Sequence, residues 1–285
     1  MIPIYEMKTI HIEVTNACNL SCANCTRFVG HHKKPFFMDL ELVRKGIESL
    51  EGYKYGIGLM GGEPTLHPQF EEICRIFQEM IPDKSKRQFW TNGCGWKKYE
   101  KIILETFEPT NIVYNDHSNP LVGWHQPLLI AIKDVVDDED LMWELIDDCW
   151  IQRRWSASIT PKGAFFCEVA AAQDILFDGP GGYPVEKGWW NKTPLEFRDQ
   201  IKRYCPNCGA SIPFQKVSAH LEYDMVSKSI AEKLEKVMSP KFLKGRIRIF
   251  DRKLTREEIE KYKENWTPWS HRPYKQYTPD LIEVC

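Results

Sequence analysis

Three cysteines in one short loop constrain this chain more than any other feature. Cys18, Cys22 and Cys25 stand in C-x3-C-x2-C spacing within the run VTNACNLSCANC, directly after a predicted strand. A structural zinc site usually takes four ligands as two close pairs, so a trio with no near fourth cysteine is a poor zinc site. Three thiolates instead suit a four-iron cubane that keeps one iron free of protein ligands. We therefore expect an iron–sulfur cluster with one iron open to chemistry.

Length, charge and cysteine content exclude several other classes of protein. The chain has 285 residues, and at about 150 residues per domain this allows one large domain or two of ordinary size. Its formal net charge of −2 argues against nucleic acid or an anionic membrane surface as a partner. The longest aliphatic run, Leu128 to Ile132, is far too short for a membrane helix. The N-terminus lacks the pattern of a secretory signal, so we expect a cytoplasmic protein whose paired thiols bind metal.

The first two-thirds of the chain alternates strand and helix signals, which is the pattern of an α/β fold with parallel strands. We predict strands over Thr9–Val14, Gly56–Met60, Arg87–Thr91, Asn111–Asn115 and Leu128–Asp134. We predict helices over Asp39–Leu50, Gln69–Met80, Lys97–Phe107 and Asp138–Cys149. Polar, glycine-rich segments follow the strands, which places the expected site at the carboxyl ends of the sheet.

A second motif, MGGEP over Met60 to Pro64, follows the second predicted strand. Together with the cysteine trio it resembles the signature of the radical S-adenosylmethionine (SAM) superfamily. The resemblance implies a partial (β/α)6-type radical SAM barrel whose trio holds a [4Fe–4S] cluster and whose glycine-rich element binds SAM.

The same resemblance implies a set of SAM contacts. They comprise the glycine-rich element, the residues after strands 3 and 4, and the residue before the last cluster cysteine: Gly61, Gly62, Glu63, Pro64, Thr91, Asn92, Asn115, Asp116 and Asn24. Glu63 is expected to supply charge for the SAM ammonium, directly or by ordering its loop. Thr91, Asn92, Asn115 and Asp116 are explained more readily as turn formers than as SAM contacts. Asn24 occupies a position that is usually aromatic in the family, so the adenine contact there falls to the backbone.

After Cys149 the sequence changes texture. Segments 155–159 and 164–167 predict a β-hairpin around a TPKG turn, followed by helices over 169–177, 195–204 and 224–237 and a capped helix from Thr255. Four further cysteines accompany this region: Cys149, Cys167, Cys205 and Cys208. Their arrangement resembles the auxiliary-cluster module called Twitch, a shortened SPASM module, and implies one auxiliary [4Fe–4S] cluster in a small α+β domain. A zinc site built from the same four cysteines is the alternative.

These observations give a domain division and a function. We expect a radical SAM barrel over 1–148, the auxiliary-cluster domain over 149–222 and a helical extension over 223–285. The resemblance implies a SAM-cleaving oxidoreductase that oxidises a small polyhydroxylated molecule, such as a sugar, cyclitol or nucleotide-linked compound. A reductant such as flavodoxin or ferredoxin is its expected partner. Arg153 and Arg154 are candidate catalytic residues that neutralise a departing alkoxide, although arginine pairs more often lie in surface ion pairs.

Two other functions stay open. One is a radical SAM epimerase or peptide-modifying enzyme in which Cys74, Cys94 or Cys285 returns a hydrogen atom to the substrate. The other is a non-enzymatic zinc or iron–sulfur scaffold.

Overall fold

The protein is described by a computed structural model that covers residues 1–117, 123–154, 156–266 and 275–276. Its centre is a seven-stranded sheet in the order β11-β4-β3-β2-β1-β6-β7. The five inner strands are parallel, and β7 and β11 are antiparallel to their neighbours at the two edges. These strands span Thr9–Thr15 (β1), Gly56–Gly61 (β2), Arg87–Thr91 (β3), Ile112–Tyr114 (β4), Ser156–Thr160 (β6), Gly163–Phe165 (β7) and Lys275–Gln276 (β11). The mixed α/β fold is confirmed and is consistent with a partial barrel.

The central strand β1 shows why the sheet carries a site on one face. All seven residues of TIHIEVT are buried, as expected for a strand covered on both faces of a parallel sheet. Ile12 packs towards Gly46 of the first helix, whereas His11 and Glu13 point to the opposite face. There His11 meets the Trp90 ring at 4.5 Å between ring centroids. The period of two thus separates an apolar face under the helices from a polar face inside.

Helices pack on the outside of the sheet and are capped by polar side chains. Asp39 accepts a hydrogen bond from the Leu42 backbone N–H at the start of α1, and Asp138 does the same for Leu141 at the start of α5. The helices of this half are α1 (Leu40–Ser49), α2 (Phe70–Met80), α3 (Trp96–Thr106), α4 (Ile132–Val135), α5 (Glu139–Asp147) and α6 (Trp150–Arg154).

The remaining elements complete the C-terminal half. Two small sheets pair β5 (Trp124–His125) with β8 (Val217–Ser218), and β9 (Asp224–Ser227) with β10 (Ile247–Phe250). The helices are α7 (Glu168–Leu176), α8 (Arg198–Tyr204), α9 (Lys228–Lys236), α10 (Pro240–Leu243) and α11 (Arg256–Glu264). The predicted hairpin is confirmed, but its first strand pairs in parallel with β1, so it extends the main sheet.

The fifth predicted strand, Leu128–Asp134, is wrong. Leu128 to Ile132 are buried, yet the second half of the segment forms the short helix α4 and its first half makes isolated backbone bonds. The carbonyl of Leu128 accepts from Gly209, and that of Leu129 accepts from Ser227. A short apolar run does not distinguish a buried strand from a buried helical turn, because neither has a polar face.

The predicted helix over 224–237 is partly wrong, because its first four residues form the strand β9 and the helix begins only at Lys228. The capped helix from Thr255 is confirmed, with both bonds of the capping box between Thr255 and Glu258. Among the described helices, none is both long and apolar enough to cross a membrane.

Candidate functional site

The three N-terminal cysteines line a cavity of about 140 Å³ at the carboxyl ends of the parallel strands. Residues that directly follow β2, β3 and β4 form the rest of this end of the cavity, among them Gly62, Asn92 and Asn115. Cysteines from the loop after β1 therefore meet polar groups from three other strand ends. This is the juxtaposition that the alternating sequence pattern predicts.

Gly61 and Gly62 are required by close backbone approach. A Cβ on Gly61 would lie 2.2 Å from the Thr15 carbonyl oxygen, and one on Gly62 would lie 2.3 Å from that of Ala17. Hydrogen bonds join the same two segments: Gly62 N–H donates to Thr15 O and Glu63 N–H donates to Ala17 O, each at 2.7 Å. The glycine-rich element is thereby fastened to the start of the cysteine loop.

Glu63 points away from the cavity and joins two strand ends. Its carboxylate is fully buried and accepts hydrogen bonds from the Thr65 hydroxyl at 2.8 Å, the Thr91 hydroxyl at 3.0 Å and the Asn92 N–H at 2.7 Å. Burial raises the pKa of Glu63 to about 7 despite these bonds. Of the two roles expected for Glu63, this geometry supports ordering of the loop.

The other predicted SAM contacts divide into two groups. Gly61, Gly62, Thr91, Asn92 and Asn115 line the cavity, whereas Glu63, Pro64, Asn24 and Asp116 are buried outside its lining. Asn24 is explained by its backbone: its φ is 52°, and asparagine tolerates this left-handed region better than most residues.

The donor groups around Cys18 fit a metal-bound thiolate. Its Sγ accepts the Leu20 backbone N–H at 3.4 Å and the Asn92 side-chain amide at 3.5 Å. Hydrogen bonds to cysteine sulfur stabilise the anionic form and tune the potential of iron–sulfur clusters. The trio and its donors therefore suit an iron–sulfur cluster, and Gly61 and Gly62 line the cavity beside it.

The second cysteine set surrounds a smaller, mostly apolar cavity of about 30 Å³, lined by Cys149, Cys167, Cys205 and Cys208. Backbone N–H groups face three of these sulfurs: Ile151 and Gln152 donate to Cys149, Ala170 to Cys167, and Ala210 to Cys208. Four thiols, three of them with backbone donors, have the chemistry of an all-cysteine cluster site. Among the described residues, no three His, Cys, Asp or Glu side chains converge tightly enough for a single metal ion.

A buried charge network lies between the two cysteine sets, and sequence reasoning missed it. Arg27 Nε lies 3.1 Å from Glu13 Oε2, Arg27 Nη2 lies 3.0 Å from Glu168 Oε2, and His11 Nδ1 lies 3.2 Å from the same oxygen. Arg27 and Glu168 also line the main cavity. The sequence did contain a signal for this network. His11 and Glu13 are ionisable residues at alternate positions of a strand that is predicted to be buried, so both had to face partners inside the protein.

The environment of this network shifts each pKa in a definite direction. Burial raises the pKa of Glu13 and lowers that of His11. Burial alone would also raise the pKa of Glu168, but the charge of Arg27 and the contact with His11 outweigh it and hold that pKa far below its usual range. Glu168 is therefore an ionised carboxylate at the cavity wall.

Neither candidate catalytic arginine is among the described residues that line the cavity. Arg153 is half exposed and pairs with Asp148 at 3.1 Å, while the side chain of Arg154 lies outside the described residues. Trp90, Trp124 and Trp150 do line the cavity, together with His117 and His125. The aromatic wall makes the site suitable for a ring-shaped molecule.

Of the three cysteines outside both sets, Cys74 and Cys94 are buried and do not line the main cavity, and Cys285 lies outside the described residues. Cys74 lies on α2 and packs in the hydrophobic core.

Comparison with known proteins gives one family match. The sequence model of the radical SAM superfamily matches residues 12–106. Among curated proteins, none matches the sequence. Solved structures of other proteins, among them the following two, match part of the chain. One, BtrN in complex with AdoMet and 2-DOIA, is 18% identical with a TM-score of 0.46, over 71% of this chain and 92% of that one. The other, Streptococcus suis SuiB bound to precursor peptide SuiA, is 10% identical with a TM-score of 0.32, over 86% of this chain and 49% of SuiB.

Proposed function

We propose that this chain, which contains a radical SAM domain over residues 12–106, oxidises a small polyhydroxylated substrate by two electrons. The substrate class is a sugar, a cyclitol or a nucleotide-linked compound. One observation carries the proposal: Glu168, the residue next to Cys167, lines the same cavity as Cys18, Cys22 and Cys25. A molecule in this cavity lies between the site of radical formation and the second cysteine set.

The cysteine trio and the glycine-rich element would hold the cofactors. A [4Fe–4S] cluster with SAM on its open iron supplies reductive cleavage of SAM to a 5′-deoxyadenosyl radical when both are bound. Gly61 and Gly62 line the cavity and would place backbone groups beside SAM, while their lack of a Cβ lets them approach the cysteine loop closely. Asn92 donates to the Cys18 sulfur and holds the loop through Asn19 at 2.9 Å. These residues bind and orient the reacting groups.

Other residues of the cavity would hold the substrate. Trp90, Trp124 and Trp150 offer apolar faces to a ring and exclude water from a reactive radical. The ionised carboxylate of Glu168 accepts a hydrogen bond from a hydroxyl or ammonium group of the substrate, and Arg27 fixes the position of that carboxylate. Hydroxyl-rich and amine-bearing rings match this combination of an aromatic wall and a buried acceptor.

Cys149, Cys167, Cys205 and Cys208 are the proposed ligands of an auxiliary [4Fe–4S] cluster. Oxidation of a carbinol to a carbonyl releases one hydrogen atom, one proton and one electron, and this cluster is the proposed acceptor of the electron. Cys167 ligation would connect that acceptor to the substrate cavity through the adjacent Glu168. Catalytic roles for Arg153 and Arg154, and flavodoxin or ferredoxin as the reductant, stay predictions.

Iron content and deoxyadenosine formation test the proposal together. Anaerobically reconstituted protein should hold about eight irons per chain, from two cubanes, and should form 5′-deoxyadenosine with SAM and dithionite. The double variant Cys22→Ala/Cys25→Ala should lose about half of the iron and all deoxyadenosine formation. The matched variant Cys205→Ala/Cys208→Ala should also lose about half of the iron but keep deoxyadenosine formation.

Two results would contradict the proposal. A colourless wild-type protein that binds zinc at either cysteine set favours a scaffold role. Wild-type protein with both clusters intact that forms no deoxyadenosine excludes the radical mechanism.

A further inference from the structure

The cysteine loop, residues 16–32, is held from two sides. The first anchor comes from within the matched radical SAM segment, where Gly62 and Glu63 donate to the carbonyls of Thr15 and Ala17. This anchor fixes the chain before Cys18. It does not reach Cys22 or Cys25, whose positions depend on other contacts.

The second anchor comes from the C-terminal part of the chain, and Asp224 and Lys241 are its centre. The Asp224 carboxylate accepts a hydrogen bond from the Asn24 backbone N–H and pairs with Lys241 Nζ at 2.8 Å. The same ammonium donates to the Cys22 carbonyl oxygen at 2.9 Å. Asp224 is 1% exposed and Lys241 is 5% exposed, so water does not substitute for these bonds.

His31 ties the far end of the loop to the same carboxylate. Its Nε2 lies 2.7 Å from Asp224 Oδ2, and its Nδ1 lies 2.7 Å from the Ser239 hydroxyl. Burial alone would raise the pKa of Asp224, but the His31 hydrogen bond and the Lys241 charge outweigh it and lower that pKa. The carboxylate is thus charged and fully partnered by groups from both parts of the chain.

Asn24 and Gly30 show that the loop is shaped to receive this anchor. Asn24 has a left-handed backbone, which turns its N–H towards Asp224, and its side-chain oxygen accepts from Met225 N–H at 3.2 Å. A Cβ on Gly30 would lie 2.3 Å from Lys241 Cε. The glycine therefore leaves the space through which the lysine stem reaches Cys22.

We propose that Asp224 and Lys241 are positioning residues of the SAM site, which hold Cys22 and Cys25 in the geometry that the N-terminal cluster needs. Residues 223–241, in the C-terminal part of the chain, then complete a site that lies otherwise within the segment matched by the family's sequence model, which ends at residue 106. The inference rests on the proposed function only in that the trio binds a cluster. Because Lys241 neutralises the Asp224 carboxylate beside the Cys22 backbone, its removal alone would leave a buried negative charge there, and that charge would disfavour the reduced, more negative state of a cluster.

Hydrogen exchange and cluster spectroscopy test this proposal on the iron-loaded protein. Lys241→Met removes the ammonium and keeps a stem of similar length; Asp224→Asn keeps an acceptor for Asn24 and removes the charge. Lys244→Met, at an exposed lysine just beyond α10, is the matched control. Amides in 16–32 should exchange about tenfold faster in both test variants. Exchange in α2, and throughout the control, should match the wild type.

The second readout separates positioning from general stability. In Lys241→Met the N-terminal cluster should have a more negative midpoint potential, and its SAM-dependent change in the electron paramagnetic resonance spectrum should need about tenfold more SAM. If Lys241→Met does not fold, the double variant Asp224→Asn/Lys241→Met leaves neither charge unpaired. It replaces the single variant in the exchange and SAM measurements, and its midpoint potential should stay close to that of the wild type because no net charge is removed.

The proposal is overturned if exchange in 16–32, the midpoint potential and the SAM response all equal those of the wild type. If the iron-loaded wild type shows no SAM response, the proposed function fails, and the exchange rates of 16–32 still decide the role of Asp224 and Lys241.

Discussion

Arg27 and Glu168 form a buried ion pair, with Nη2 and Oε2 at 3.0 Å, although 141 residues separate them. Arg27 lies two residues after Cys25, and Glu168 directly follows Cys167. The ion pair therefore links the loop that carries the N-terminal cysteine set to the segment that carries Cys167 of the second set. Both side chains line the main cavity, so the same contact shapes the proposed substrate site.

Replacing Arg27 by methionine should destabilise the protein strongly. The change leaves the carboxylates of Glu13 and Glu168 buried without their cation, and removal of one partner of a buried pair costs about 3–5 kcal/mol. Urea unfolding of the two proteins at equal iron content measures the difference. Arg75→Met is the control, because Arg75 and Glu71 are 60% and 47% exposed, and it should cost less than about 1 kcal/mol. Equal losses in the two variants would refute the structural role of Arg27.

Gly62→Ala should abolish SAM-dependent deoxyadenosine formation. The added methyl group would lie 2.3 Å from the Ala17 carbonyl oxygen, which is backbone and has no rotamer to move to, so the start of the cysteine loop must shift. Gly46→Ala offers a matched control at a buried position of α1, where the new Cβ meets Ile12 Cδ1 at an ordinary 3.6 Å. Activity should be retained in Gly46→Ala, and an active Gly62→Ala enzyme would show that the close approach is unnecessary.

Glu63 should make the stability of the protein depend on pH. Its pKa is about 7 in the folded protein, against an ordinary glutamate value of 4.5, so the folded state binds more protons between these two values. Stability from this group is present below pH 4.5 and is lost as the pH rises through 7, an effect of roughly 3 kcal/mol.

The variant Glu63→Gln has no proton to lose and should remove this part of the pH dependence. Free energies of unfolding of both proteins between pH 5 and pH 8 measure it. If the free energies of unfolding of the two proteins changed with pH in the same way across this window, the Glu63 carboxyl would already be ionised at pH 5.

Thr255 should stabilise the last described helix through its capping box. Its hydroxyl accepts from the Glu258 N–H at 3.2 Å, and Glu258 accepts from the Thr255 N–H at 2.9 Å. Thr255→Ala should therefore cost about 1 kcal/mol, measured by thermal unfolding. Thr110→Ala, at an exposed residue of a short 3-10 turn, should be close to neutral. A neutral Thr255→Ala variant would mean that the helix does not depend on its cap.

The first four strands and their helices were predictable because their signals are local. Strand β3 was predicted at its observed bounds, Arg87–Thr91, because a buried strand between polar turns has a recognisable pattern. Leu128–Asp134 starts with a run of five apolar residues and has no periodicity, and its second half forms a short helix among other buried segments. Such a run fits a buried strand and a buried helical turn equally, so only the surrounding contacts decide between them.

By itself the sequence determined the α/β architecture, the cysteine trio, the glycine-rich element and the order in which they meet at the strand ends. These features are set by periodicity and by residue type within short segments. The tertiary structure alone decided that Glu63 faces inward, that Arg27 pairs with Glu168, and that Asp224 and Lys241 grip the cysteine loop. Each of these contacts joins residues far apart in the chain, and their stability comes from mutual burial, which no short segment can encode.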